Sequence, residues 1–112
     1  MDEATARQRL LRRRVELDEE DRISAVDRAP VVLDQDSVGR LSRIDAMQVQ
    51  AMALAAERRR QAERARITAA LKRLDEGEWG YCLVCGDKIA PARLEHDPSA
   101  MKCIRCASEE SI

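Results

Sequence analysis

The sequence is poor in aromatic and turn-forming residues. Phe is absent, Trp and Tyr occur once each, and the 112 residues include only four Gly and three Pro. Aromatic side chains fill much of a globular core, so a short chain with two of them cannot build a broad one. No apolar run is long enough to span a bilayer, and the first residues, MDEATARQRLLRRR, lack an apolar signal core. We therefore expect a cytoplasmic protein of exposed helices, with no membrane partner.

A surplus of positive charge is also missing. The chain has 20 Lys and Arg residues and 21 Asp and Glu residues, which give a formal net charge of −1. Proteins that bind nucleic acid by neutralising phosphates need a basic surplus or a segregated basic face. Thiolates that bind a zinc ion would make the net charge more negative still. The composition therefore argues against a generic polyanion-binding protein, and we expect no direct, specific DNA binding.

The abundant residues, Ala, Glu and Arg, favour long helices, and 37% of the chain is charged. Residues 3 to about 26 contain no Gly or Pro, and Pro30 should end that helix because it cannot continue the hydrogen-bond ladder. Within this helix arginines come first and carboxylates follow, and we expect a solvated face with local ion pairs. A second, longer helix is predicted from about residue 38 to 75, with a length of roughly 55 Å.

An apolar stripe on the second helix predicts its packing face. The stripe consists of small and aliphatic residues, namely Ile44, Met47, Ala51, Leu54, Ala62, Ala65, Ile67, Ala69, Leu71 and Leu74. A lone helix of this length must bury such a stripe to be stable. Because the pattern is too irregular for sustained heptads, we expect the first helix to fold back antiparallel in a monomer, rather than a parallel dimeric coiled coil. The predicted fold is mainly α, with a helical hairpin over residues 1–75, its tip at about 24–37, and a small head over residues 76–112.

The head contains the four cysteines of the chain. They form two CxxC pairs, with seventeen residues between the inner members: Cys82, Cys85, Cys103 and Cys106. Two such knuckles at this separation are typical of a tetrahedral zinc site with four thiolate ligands. A site saturated with thiolates has no open position for water, so we expect one structural Zn²⁺ and no enzymatic activity. A redox pair is a weaker alternative, since no thioredoxin-like βαβ pattern surrounds the cysteines. His96 as a replacement ligand is also weaker, because a lone His beside Asp97 and Pro98 is more often an exposed loop residue.

The residues around the cysteines suit such a head. Gly86 follows Cys85, where the backbone must turn through positive φ. Trp79 and Tyr81 lie in the break after the second helix, and we expect both to pack the helix end against the head. Basic residues close to the cysteines would offset the negative charge of the thiolates; they are Lys88, Arg93, Lys102 and Arg105. The final segment, IRCASEESI, predicts a short C-terminal helix.

The segment GYCLVCGDKIAPARLEHDPSAMKCIRC combines several features: an aromatic beside the first Cys, CxxCG, an Arg-Leu pair, and a Pro before the second CxxC. In these residues the sequence resembles the DksA/TraR family of bacterial RNA polymerase-binding transcription regulators. With the long charged helix and a partial tip motif, SAVDRA, the resemblance extends over about residues 24–107. It implies a zinc head carrying a coiled-coil hairpin, which enters the secondary channel of RNA polymerase and modulates initiation.

The resemblance also implies residues at the tip of the hairpin. Fully active members carry two Asp separated by two residues, and an Ala two residues further on. The matching positions here are Ser24, Asp27 and Ala29. The first carboxylate is therefore missing unless Asp34 or Asp36 supplies it.

A second set of positions concerns guanosine tetraphosphate. Family members that respond to this nucleotide carry basic residues where this chain has Asp97 and Ala107. Arg66 keeps a basic residue on the second helix, where it would contact polymerase or nucleotide. We expect weak or absent dependence on guanosine tetraphosphate.

Two other functions fit parts of the pattern. A zinc-ribbon nucleic-acid-binding protein would use the arginines of the second helix as a basic stripe, namely Arg58, Arg59, Arg60, Arg64 and Arg66, although Glu57 and Glu63 interrupt it. A structural coiled-coil adaptor would need no polymerase contact.

Overall fold

The structure, a computed structural model, describes residues 1–30 and 40–110. In those ranges it contains four helices: α1 over Glu3–Arg28, α2 over Arg40–Asp75, α3 over Pro91–His96 and α4 over Ile104–Glu110. The only strand-like pairing in the same ranges is one antiparallel bridge between Tyr81 and Lys88. The predicted mainly α fold is confirmed. None of the helices in the described ranges is long and apolar enough to cross a membrane.

Local sequence signals set both ends of α1. At its start, the Asp2 carboxylate accepts a hydrogen bond from the Thr5 backbone N–H at 2.8 Å, which satisfies one of the unpaired amides of the first turn. At its end, Ala29 has an extended backbone with ψ of 150°. A residue that precedes proline is forced into this region by the proline ring. The predicted stop at Pro30 is confirmed.

Helices α1 and α2 pack side by side and run antiparallel. Arg7 pairs with Asp75 at 2.7 Å, and Arg28 pairs with Glu57 at 2.9 Å, so the start of α1 lies beside the end of α2. Between the helices lies an apolar cluster whose members are at most 5% exposed: Leu10, Leu17, Ile67, Ala70 and Leu74. Full burial of an aliphatic side chain contributes about 1.5 to 3 kcal/mol. This hairpin cluster holds the end of the hairpin that is nearest the cysteines.

The apolar stripe predicted on α2 is the packing face only near the head. Ile67 is buried, but Ile44 and Met47 are 44% and 57% exposed, and Ala62 and Ala65 are exposed as well. At about 100° per residue, Ala62 and Ala65 lie on the side of α2 turned away from Ile67. The prediction of a continuous buried seam is wrong, because Ala is so frequent in α2 that its spacing does not fix which face packs.

Trp79 joins the hairpin to the head. It is partly buried against both the hairpin cluster and a second cluster around the cysteines. Its indole Nε1 donates a hydrogen bond to the Pro98 carbonyl oxygen at 2.9 Å. Tyr81 is 42% exposed and belongs to neither cluster. The predicted packing role is confirmed for Trp79 and is wrong for Tyr81, whose backbone pairs with Lys88 while its side chain reaches solvent.

The N-terminal part of α1 makes a further contact with the head. Arg9 Nη1 donates a hydrogen bond to the Glu95 carbonyl oxygen at 2.7 Å, near the end of α3. That carbonyl lies in the last turn of a helix, where backbone oxygens lack partners within the helix and a cation is favourable. The head is therefore attached to both long helices.

Candidate metal centre

The first CxxC pair lies in a tight backbone loop. The Gly86 N–H donates to the Cys82 carbonyl at 3.0 Å, and the Cys82 N–H donates to the Asp87 carbonyl at 2.7 Å. Gly86 has φ of +79°, a conformation that is strained for residues with a side chain. The loop directs Cys82 and Cys85 to the same side, and the glycine predicted for this turn is required there.

The second pair lies at the start of α4. Cys103 directly precedes the helix and Cys106 is in its first turn, with the Cys106 N–H directed at the Cys103 Sγ at 3.5 Å. The two knuckles are joined where the Leu83 N–H donates to the Met101 carbonyl at 2.7 Å. Backbone hydrogen bonds thus fix both halves of the cysteine set relative to each other.

The four sulfur atoms form one compact group. All lie within 4.8 Å of one another, and the Cys85 and Cys103 Sγ atoms are 3.8 Å apart. A disulfide requires about 2.05 Å, so these are separate thiols. A tetrahedral zinc with Zn–S bonds of about 2.3 Å places its sulfurs about 3.8 Å apart. The geometry fits one zinc ion, which Cys82, Cys85, Cys103 and Cys106 would hold.

The electrostatics of the group also favour a bound cation. Hydrogen bonds from the backbone N–H groups of Cys85 and then Cys103 lower the pKa of Cys82 to about 6. The neighbouring Cys103 thiol raises the pKa of Cys106 to about 12. Thiols this close cannot all lose their protons unless a positive charge balances them, and a divalent ion supplies that charge. Zinc bound here would therefore hold the head together and have no open position for a substrate.

The surroundings of the cysteines match the predicted charge compensation in part. Arg105 lies against Cys106, and this contact raises the pKa of the Arg105 guanidinium. Arg93 instead donates from Nε to the Lys102 carbonyl at 2.8 Å, which fastens α3 to the second knuckle. His96 is exposed at the end of α3 and is not part of the sulfur group.

Comparison with known proteins identifies this head. A family profile described as the prokaryotic dksA/traR C4-type zinc finger matches residues 77–111. Residues 77–111 of this chain are therefore similar to the zinc finger of the DksA/TraR family. It is similar to the RNA polymerase-binding transcription factor DksA of Haemophilus influenzae, with 46% identity over 47 residues, which are 42% of this chain and 32% of that protein. The matched region thus spans about a third of the length of this relative.

A solved structure extends the likeness beyond the zinc finger. Transcription factor DksA2 from Pseudomonas aeruginosa is 25% identical and superposes with a TM-score of 0.73, over 97% of this chain and 82% of that chain. The likeness therefore includes the helical hairpin as well as the head.

The residues at the DksA/TraR tip positions differ in their surroundings. Asp27 is exposed in the last turn of α1, and its carboxylate makes no hydrogen bond or ion pair within the described ranges. The Ala29 carbonyl accepts a hydrogen bond from Gln50 Nε2 at 2.9 Å. Ser24 is partly buried, and its Oγ accepts from Arg28 Nε at 3.2 Å and Arg60 Nη2 at 2.9 Å. Asp34 and Asp36 lie outside the described residues.

Arg66 lies beside the head and not at the tip. Together with Arg9, Arg12 and His96 it lines a groove of about 470 Å³ between the hairpin and the turn after α3. Asp97 is in the same groove, where its carboxylate accepts hydrogen bonds from the Ser99 N–H at 3.0 Å and the Ser99 hydroxyl at 2.6 Å. The acidic residue found at this DksA/TraR position thus stabilises its own turn.

The expectation of mainly local ion pairs on α1 is only partly confirmed. Arg22 pairs with Glu19 of its own helix, but Arg13 reaches across to Glu63 on α2 at 2.6 Å. Further cross-helix pairs join Asp18 and Asp21 of α1 to arginines of α2, namely Arg60 and Arg64. Sequence reasoning missed this network. The signal was an acidic segment, ELDEED, that faces a basic one, RRRQAERAR, once the two helices run antiparallel.

The same network bears on the basic stripe that a nucleic-acid-binding protein would use. Of its five arginines, Arg60 and Arg64 donate hydrogen bonds to carboxylates of α1. The exposed members that remain are Arg58, Arg59 and Arg66. The stripe is therefore smaller than its sequence suggests.

Proposed function

We propose that this protein is a bacterial transcription regulator that binds RNA polymerase, inserts its hairpin into the secondary channel and thereby modulates initiation. The Haemophilus influenzae relative is named for its binding to RNA polymerase. One observation about this chain carries the proposal: a hairpin attached to a zinc head at one end presents an exposed carboxylate, Asp27, near the other.

The two ends of the molecule would have different tasks. Zinc, saturated by four thiolates, would set the base of the hairpin and take no part in chemistry. From Leu74 to Gln50, beside the end of α1, α2 extends 24 residues, about 36 Å. A carboxylate carried that far into a channel can alter the field at a magnesium-centred active site, because the ion is the largest local charge there. The protein would act without being an enzyme, and without specific DNA contacts of its own.

The nucleotide response is proposed to be weak. Arg66 is exposed and could contact polymerase or nucleotide. However, Asp97 replaces a basic residue of the responsive members, and its carboxylate is hydrogen-bonded to Ser99 within its own turn. A carboxylate in place of a cation weakens the attraction of the groove for polyphosphate. Potentiation of the transcriptional effect by guanosine tetraphosphate would contradict this part of the proposal.

Retention on immobilised core RNA polymerase tests the binding step, with the zinc-loaded full chain in solution. We expect wild type to be retained and Asp27→Asn to be retained equally, because Asp27 would act at the tip and not in docking. In transcription assays Asp27→Asn should lose the effect of wild type. Glu76→Gln, which removes an exposed carboxylate at the base of the hairpin, is the matched control and should keep it.

Two results would reject the proposal. Absence of polymerase binding by wild type would favour the structural adaptor. Salt-dependent binding of the isolated protein to DNA, with no polymerase retention, would favour the nucleic-acid-binding alternative.

A further inference from the structure

The two halves of the hairpin are held together by different interactions. The hairpin cluster ends at Leu17 in α1 and at Ile67 in α2. Beyond Leu17, no residue of α1 is buried. From Leu17 to Asp27 the helix continues for ten residues, about 15 Å. Something other than an apolar core must hold that length against α2.

Charged side chains fill this role, in a network centred on Asp21. Its carboxylate accepts a hydrogen bond from Arg60 Nε at 2.5 Å and another from Arg64. Arg64 also donates to Asp18 at 2.8 Å, and Arg60 donates to Ser24 Oγ at 2.9 Å. The side chains of Arg60 and Asp21 are only 12% and 21% exposed, so the pair is partly shielded from water. Charge-assisted hydrogen bonds in such a place are stronger than those at an open surface.

The network reaches the last turn of α1. Arg28 donates to Ser24 Oγ from the same helix and pairs with Glu57 across the helices at 2.9 Å. Asp27 lies next to Arg28, and its carboxylate makes no polar contact within the described ranges. The position of the Asp27 carboxylate is therefore set by neighbours that the network fixes.

We propose that Asp21, Arg60 and Ser24 are positioning residues for the tip, which fix the far half of α1, and with it Asp27, against α2. The effect of this positioning on initiation rests on the proposed function, whereas the ordering of the far half of α1 does not. Ser24, at the first tip position, would then act between the helices and not on a partner. The far half should loosen when charges are removed or screened, since the Debye length falls from about 10 Å at 0.1 M salt to about 3 Å at 1 M.

Amide hydrogen exchange on the zinc-loaded full chain measures this ordering residue by residue. In Asp21→Asn, the amides of residues 22–28 should exchange about ten- to a hundredfold faster than in wild type, as expected when charge-assisted hydrogen bonds are lost. The amides of residues 10–17, beside the hairpin cluster, should be unchanged. Wild type in 1 M sodium chloride should show the same contrast between the two halves.

Matched variants separate the network from a general loss of charge. Glu19→Gln removes the same charge two residues away, but Glu19 is exposed, and its carboxylate pairs only with Arg22 of its own helix among the described residues. Arg60→Gln should reproduce the effect of Asp21→Asn, whereas Arg59→Gln, at an exposed neighbouring position, should not.

The proposal would be overturned if amide exchange in Asp21→Asn became faster by the same factor in both halves of α1, or if the variant unfolded completely. The network would then support the whole fold. Unchanged exchange in residues 22–28 would overturn it as well.

Assays with core polymerase then test the functional part. Asp21→Asn should be retained like wild type but lose most of the effect on initiation, while Glu19→Gln keeps both. A wild-type protein that is not retained would reject the proposed function and leave the exchange result to decide the positioning role. An Asp21→Asn protein that keeps both retention and effect would reject the link between ordering and activity.

Discussion

The hairpin cluster makes Leu17 the most informative position for a stability measurement. Leu17 is 0% exposed and is the last buried residue of α1 before the charged half of the hairpin. Replacing a buried Leu with Ala removes its burial energy and leaves a cavity, which costs about 2 to 5 kcal/mol. Since the whole free energy of unfolding of a small domain is about 5 to 15 kcal/mol, Leu17→Ala should remove a large part of it.

Urea unfolding followed by far-ultraviolet circular dichroism, with zinc present, measures this cost. Val15→Ala is the matched control, because Val15 lies two residues away on α1 but is 68% exposed. Surface substitutions of that kind change stability by no more than about 0.5 kcal/mol. Zinc content should be the same in both variants, since neither residue belongs to the cluster around the cysteines. If Leu17→Ala cost no more than Val15→Ala, the packing of α1 on α2 described above would be refuted.

Three further predictions concern the head and the charged network. Cys85→Ser should lower zinc stoichiometry well below one ion per chain, measured by atomic emission, because three thiolates bind zinc more weakly than four; full zinc content would contradict the four-thiolate site. Trp79→Phe keeps an aromatic ring but removes the 2.9 Å hydrogen bond to the Pro98 carbonyl. It should lower the free energy of unfolding by about 1 kcal/mol in the same urea assay, and Trp79→Leu should lower it further. Hydrogen bonds from Arg60, opposed by burial, and then from Arg64 hold the pKa of Asp21 below its ordinary value of 3.8. Asp21 therefore stabilises the folded state fully above that value and loses its contribution as pH falls through the lowered pKa. The difference in unfolding free energy between wild type and Asp21→Asn should shrink over that acidic range, and a difference that does not change with pH would show that charge is not its origin.

The zinc head was predictable from the sequence in considerable detail. Within each CxxC pair the two metal ligands are close along the chain. Gly86 permits a positive φ in the head because it has no side chain, and Pro30, in the hairpin, ends α1 because its ring restricts the residue before it. Signals of this kind operate within a few residues. They hold whatever the rest of the chain does, which is why the helix end at Pro30 and the turn at Gly86 could be located in advance.

The sequence by itself determined the two long helices, the C-terminal helix, the cysteine set and the resemblance to the DksA/TraR family, but not α3. Only the tertiary structure decided which face of α2 packs against α1. As a result, Ala62 and Ala65 are exposed, and Asp21 pairs with Arg60. The physical reason is rotational: one residue turns a helix face by about 100°, so the phase depends on all side chains of both helices together. An Ala-rich helix has no strong preference to settle that phase locally. The buried hairpin cluster and the charge pairs between the helices settle it together.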